Sequence, residues 1–137
     1  MSLPVGVESI PGAQELCDWF GYWPDFHDAE VLKFRVETDK PSSLVIHTWE
    51  MTNRVNPQGF YEQTKHIVVE FVLEGISTLS IQDPWAHSIL LDLLIEKSHS
   101  GFRLNLSSSY GLCGTIEAQK VSLRVSPGQP SESLLSS

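Results

Sequence analysis

The side chains best equipped for chemistry lie close together near the start of the chain: Asp25, His27, Asp28 and Glu30. A histidine flanked by carboxylates could act as a general base, because nearby negative charge raises its pKa and orients its ring. Two or three of these groups could instead ligate a divalent metal. Either role needs a second contributor, since adjacent residues rarely aim three side chains at one point. His47, His66, His87 and His99 are available, but their spacing matches no paired-histidine site such as H-E-x-x-H. A plainer reading has His27 and Asp28 satisfying backbone groups where a loop enters a strand. A third has part of the cluster facing a partner.

Nucleophile readings are thinner. Ser107-Ser108-Ser109-Tyr110-Gly111 reads as a strand end and a turn, and no G-x-S-x-G elbow occurs. Cys113 has no adjacent base, and with Cys17 it forms neither a disulfide framework nor a metal pattern. P-loop, dinucleotide, EF-hand and C-x-x-C motifs are lacking. The expectation is a chain that is not an enzyme, with no catalytic residue, no metal ligand and no cofactor.

Charge says more. The 137 residues carry a net charge of −8, and residues 1–30 hold six acids (Glu8, Glu15, Asp18, Asp25, Asp28, Glu30) with no Lys or Arg. Such a chain repels phosphate backbones, so nucleic acid is not an expected partner. It steers basic partners instead. Trp19, Tyr22 and Trp23 beside those acids are the residue types that anchor interfaces. The candidate partner-binding residues are therefore Asp18, Trp19, Tyr22, Trp23, Asp25, Asp28 and Glu30, with the 52–63 loop as a rival surface. The same charge could be ordinary solubilising charge, and Trp23 and Phe26 could be core. The composition, 41% hydrophobic and 19% charged, is that of one soluble domain. No apolar run reaches the roughly 18 residues of a membrane helix. The first residues show no secretory pattern, so a cytoplasmic location is expected.

The elements that must hold these residues follow from periodicity. Ala13, Leu16, Cys17 and Phe20 share one helical face, so a helix is expected over 9–20, with Ser9 as N-cap, Pro11 in the first turn and Gly21 as stop. Leu32, Phe34 and Val36 alternate with Lys33, Arg35 and Glu37 as a half-buried strand. A turn over 38–43 leads to a second strand, 44–51, as a hairpin, with Leu44, Ile46 and Thr48 on one face and His47, Trp49 and Met51 on the other. Residues 52–63 read as a loop. Strands follow at 65–73, with Ile67, Val69, Phe71 and Leu73 on one face, and more briefly at Leu79 and Ile81. Residues 89–95 read as a strand, although the leucines also suit a helix. Phe102, Leu104 and Leu106 mark another strand, and 115–125 a last one with a bulge. The fold class is α+β: an N-terminal helix packed on a curved, mainly antiparallel sheet of about six to seven strands, in one domain over 1–125, followed by a flexible tail over 126–137.

The run from Phe20 through Trp23, Pro24, Phe26, His27, Asp28 and Glu30 to Val31 resembles the signature of the Immunity protein 50 family of bacterial polymorphic toxin systems. The likeness is specific over about 13–36. Farther on it rests on general pattern, including a turn like Tyr110-Gly111 before the closing strand. It implies an immunity protein that binds the C-terminal domain of a cognate toxin and neutralises it, with no chemistry of its own. It assigns no function to the motif positions. Two other functions stay open: a small metal-dependent or acid–base enzyme centred on His27 and Asp28, and a homodimeric structural module using an outer apolar face near Val45, Trp49 and Val68.

Overall fold

The computed structural model describes residues 3–4, 6–83 and 88–130, with the side chains of residues 109 and 110 excepted. Six antiparallel strands, β1 (Glu30–Arg35), β2 (Ser42–Val55), β3 (Tyr61–Gln82), β4 (Ile89–Ser98), β5 (Gly101–Tyr110) and β6 (Cys113–Pro127), form a closed barrel in the order β1-β2-β3-β6-β5-β4. Two three-stranded meanders, β1-β2-β3 and β4-β5-β6, are zipped along β3 and β6. The ring shuts at a short seam where Glu30 pairs with Ile89. Closure removes sheet edges that would otherwise need cover.

Inside the ring, Leu44, Ile46, Ile67, Val69, Phe71, Leu73, Leu104 and Ile116 form one core with the helix α1 (Ala13–Phe20). Period-2 alternation places the β3 residues there as expected. The helix contributes Ala13, Leu16 and Phe20 to the same core. Eight residues is too short for independent stability, so this packing holds it.

Several expected boundaries move. The helix starts at Ala13, not at residue 9, and its N-cap is Gly12 rather than Ser9. Residues 6–13 instead make successive single turns, closed by Val7 N–H to Pro4 O, Ile10 N–H to Val7 O and Ala13 N–H to Ile10 O. Gly12 sits at φ 88° against β6, where a Cβ would lie 2.1 Å from the Leu123 carbonyl oxygen. The Leu123 N–H to Pro11 O bond (2.8 Å) holds the entry of α1 against β6, with the missing Cβ of Gly12 leaving room for the approach. Gly21 ends the helix as expected, its N–H reaching Cys17 O at 2.7 Å.

Only 56–60 of the loop expected over 52–63 is a turn; 52–55 and 61–63 are strand. β2 and β3 continue as a hairpin arm to the Val55–Tyr61 pair. The tight tip is organised by Asn56, whose side-chain oxygen accepts from the N–H groups of Gln58 and Phe60, both at 3.0 Å. The two strands expected at 65–73 and at 79–81 are one 22-residue strand, which pairs β2 between Tyr61 and Leu73 and β6 between Ile67 and Gln82. The bulge expected in the last strand falls on its partner, at 76–78 of β3. Residues 89–95 are strand, as read. β6 runs to Pro127, and Gly128 N–H bonds His66 O at 2.7 Å. The expectations for residues 131–137 and for His87 lie outside the described residues. The fold is α+β in the coarse sense only, because the sheet dominates.

Candidate functional site

The segment 22–30 joins α1 to β1 and lies along β4. Pro24 is buried, and Phe26 drops into the core at 1% exposure, edge-on to Trp23 (5.9 Å) and to Phe71 (5.7 Å). To aim inward, Phe26 takes φ 64°, and Asp28 follows at φ 65°. Left-handed backbone at a bulky residue costs roughly 1–2 kcal/mol and persists only where packing compels it. The Asp25 carboxylate accepts the His27 N–H at 2.9 Å and sets the turn. The segment's backbone then pairs with β4 and the residue before it: Asp28 N–H to Leu90 O, Leu90 N–H to Ala29 O and Val31 N–H to Ser88 O, each 2.9 Å. His27 Nδ1–H donates to Leu91 O at 2.9 Å.

The motif is thus the strap that shuts the barrel; the His27 side chain meets a backbone carbonyl, whereas the Asp28 carboxylate meets the His27 ring and only its N–H joins the backbone pairing. The His27 ring faces solvent at 59% exposure, with Asp28 Oδ1 3.7 Å from Nε2. The Leu91 carbonyl first, then Asp28, lift its pKa above the ordinary value. Among the described residues its ring contacts are this carbonyl and this neighbour, not a distant histidine. Among the described residues no group of three or more His, Cys, Asp or Glu side chains is arranged to hold a metal ion.

The partner-binding candidates separate. Trp19 and Tyr22 come together on the β2–β3 side. Trp19 Nε1–H donates to Lys65 O at 2.9 Å, and Tyr22 OH donates to Glu50 Oε2 at 2.8 Å. Burial and the Glu50 carboxylate push the Tyr22 phenol up to about 12. Lys65 Nζ donates to Phe20 O at 3.2 Å and sits 3.9 Å from Glu50 Oε1. It supplies the positive charge that the last turn of α1 lacks in its own sequence. Asp18 is exposed and bonded to Gln14 of the preceding turn at 2.8 Å. Trp23 is half-buried against the core, whereas Asp25 and Asp28 are exposed on the strap.

Glu30 joins a cluster that sequence reasoning missed. On the outer barrel wall, Glu30 Oε1 lies 2.8 Å from His47 Nδ1, and His47 Nε2 lies 3.0 Å from His66 Nδ1. The two rings stack at 5.2 Å, and Trp49 packs on His47 at 4.9 Å, leaving His47 4% exposed. A carboxylate only accepts, so His47 Nδ1 carries a proton. His47 Nε2 and His66 Nδ1 share one proton between them, because two facing N–H groups would repel. Burial and then His47 hold His66 below the ordinary histidine value, against the pull of Glu30. The relay leaves His66 as its outer member, on the rim of a notch lined also by Phe60, Tyr61 and Glu62. The alternation of His47 with Trp49 and of His66 with Val68 hinted at shared outer faces, but only strand register brings the two rings together. Val45 and Val68 are buried on the outer wall rather than presenting an apolar face, in a hollow edged by Lys33, Arg35 and Arg124.

No helix among the described residues is long and apolar enough to cross a membrane. Residues 12–127, most of the chain, match the family described as Immunity protein 50. The corresponding searches of curated proteins and of solved structures find no match.

Proposed function

The chain belongs to the Immunity protein 50 family, and from that premise we propose that it binds a cognate bacterial toxin domain and neutralises it by direct contact, with no catalytic chemistry of its own. The family match carries the reading. Its physical support is the acidic first 30 residues, six acids and no cation, with the exposed rings of Trp19 and Tyr22 among them. Asp18, Asp25, Asp28 and Glu30 are among the acids whose summed field attracts a basic protein surface. The proposed place of action is the cytoplasm of the toxin-producing cell.

Growth rescue tests this. The toxin domain encoded beside this gene is induced in a sensitive host with and without the chain. Rescue together with a co-purifying complex is the expected result. No rescue and no complex, with both proteins soluble, would remove the proposal. The rival enzyme reading gains no support from the described residues, where the His27 ring meets the Leu91 carbonyl, Asp28 and solvent and no second histidine. The homodimer reading gains no support from its expected outer face, where Val45 and Val68 are buried and Trp49 is half-buried.

A further inference from the structure

We infer that the β2–β3 arm is part of the toxin-binding surface, and that the notch at its base takes a cationic side chain, an arginine or lysine, from a basic face of the toxin domain. The inference rests on the proposed function and adds to it a location and a partner chemistry.

Three observations support it. First, the arm holds large apolar side chains away from the core. Met51, Val55, Phe60 and Tyr61 are all exposed, Phe60 at 70% and Tyr61 at 58%. The tip is nonetheless ordered by its own hydrogen bonds around Asn56, so these rings are displayed on a set scaffold. Second, the arm is tied to the acidic N-terminal surface. Trp19 bonds Lys65 O, Tyr22 bonds Glu50, and Lys65 Nζ reaches Phe20 O. Helix end and arm base therefore present one surface. Third, the charge is one-sided. Residues 1–30 and 50–65 together contain eight acids and two cations, Arg54 and Lys65. Each of these cations already faces a carboxylate, Glu62 at 3.6 Å and Glu50 at 3.9 Å.

The notch, of 420 Å³, is lined by Phe60, Tyr61, Glu62 and His66 among others. Aromatic faces beside a carboxylate are the chemistry that receives a guanidinium or ammonium group, and the incoming cation would compete with the exposed Arg54 for Glu62. A second copy of this chain would bring the same negative field and is repelled.

Affinity for the purified toxin domain is measured for wild type, Phe60→Ala, Tyr61→Ala and Glu62→Lys, at low and at high salt. Leu94→Ala and Val36→Ala, two other exposed apolar positions, serve as controls. Because the arm side chains are exposed, the variants should keep the wild-type circular dichroism and melting temperature. Expected are losses of about tenfold or more for each arm variant, less than twofold for the controls, and weaker wild-type binding at high salt. Wild-type binding with arm variants inside twofold overturns the inference and leaves the proposed function standing. So does self-association of the chain that Phe60→Ala abolishes without affecting toxin binding. Failure of the wild-type chain to bind the toxin overturns both.

Discussion

Truncating Phe26 to alanine separates a strap that shuts the barrel from a motif kept for contact with a partner. The ring is 1% exposed and touches Trp23 and Phe71 edge-on. Removing a buried phenylalanine ring costs the lost transfer energy and the cavity left behind, roughly 3–5 kcal/mol. With about 2.1 cal/mol/K of unfolding entropy per residue, a loss of about 4 kcal/mol lowers the Tm of a 137-residue chain by about 14 °C. The loss is a large share of the roughly 5–15 kcal/mol that holds such a domain together. The backbone adds a second signature. Phe26 has φ 64°, so alanine inherits the strain and glycine escapes it. Phe26→Gly is therefore expected to be no less stable than Phe26→Ala, and up to about 1 kcal/mol more stable, the reverse of the usual order. Urea denaturation gives both free energies, and amide exchange at Leu90 and Val31 reads the seam directly, since their N–H groups bond Ala29 O and Ser88 O. A loss below about 1 kcal/mol with those amides still protected, accompanied by loss of toxin binding, would refute the strap and make Phe26 a contact residue.

Gly12→Ala is expected to cost over about 3 kcal/mol or to prevent folding, since its Cβ would meet the Leu123 carbonyl oxygen at 2.1 Å, while Gly21→Ala, with nothing within 4 Å, costs only the left-handed strain of about 1–2 kcal/mol; equal melting temperatures for the two variants would contradict this. Tyr22→Phe removes the bond to Glu50 and is expected to lower stability by about 1 kcal/mol, and Glu50→Gln in the Tyr22→Phe background to add less than it does alone, as a double-mutant cycle will show. A histidine held below its ordinary value binds fewer protons folded than unfolded, so its contribution to stability falls as pH drops below about 6.5. His66 has that sign, so His66→Gln is expected to flatten the fall of Tm between pH 7 and pH 5; His27 has the opposite sign and is common to both proteins, and parallel Tm profiles would refute the claim.

Where burial is one-sided, the sequence was legible. Ile67, Val69, Phe71 and Leu73 alternate cleanly and all lie in the core, as does the helical face of Ala13, Leu16 and Phe20. Residues 89–95 could be read as strand because two turns of helix would be too short to stand alone. The arm was illegible for a definite reason. Asn53, Asn56, Pro57 and Gly59 look like loop; the last three do form the tip turn, while ladder bonding between β2 and β3 carries strand past Asn53 to Val55 and back from Tyr61. Ring closure was equally hidden, because the Glu30–Ile89 pair joins segments whose apolar patterns say nothing of each other. At the candidate site, Trp19, Tyr22 and Glu30 were found by residue type. Their partners Lys65, Glu50 and His47 were not, since each is fixed by tertiary packing or strand register.

The short seam also sets an order of assembly. The β4–β5 hairpin turns tightly, with Ser98 opposite Gly101, and β1–β2 and β2–β3 are likewise neighbours in the chain. Such local pairs form on the microsecond scale. The long β3–β6 zipper needs a wider loop, but each further residue pair rewards it. The seam must close a loop of about 60 residues for one strand pair and a few flanking bonds, so its entropy is repaid last. The strap that carries the family motif is thus the final piece to lock, and until it does the nascent barrel is an open sheet whose two unpaired edges, β1 and β4, are the same two that a misfolding neighbour would capture.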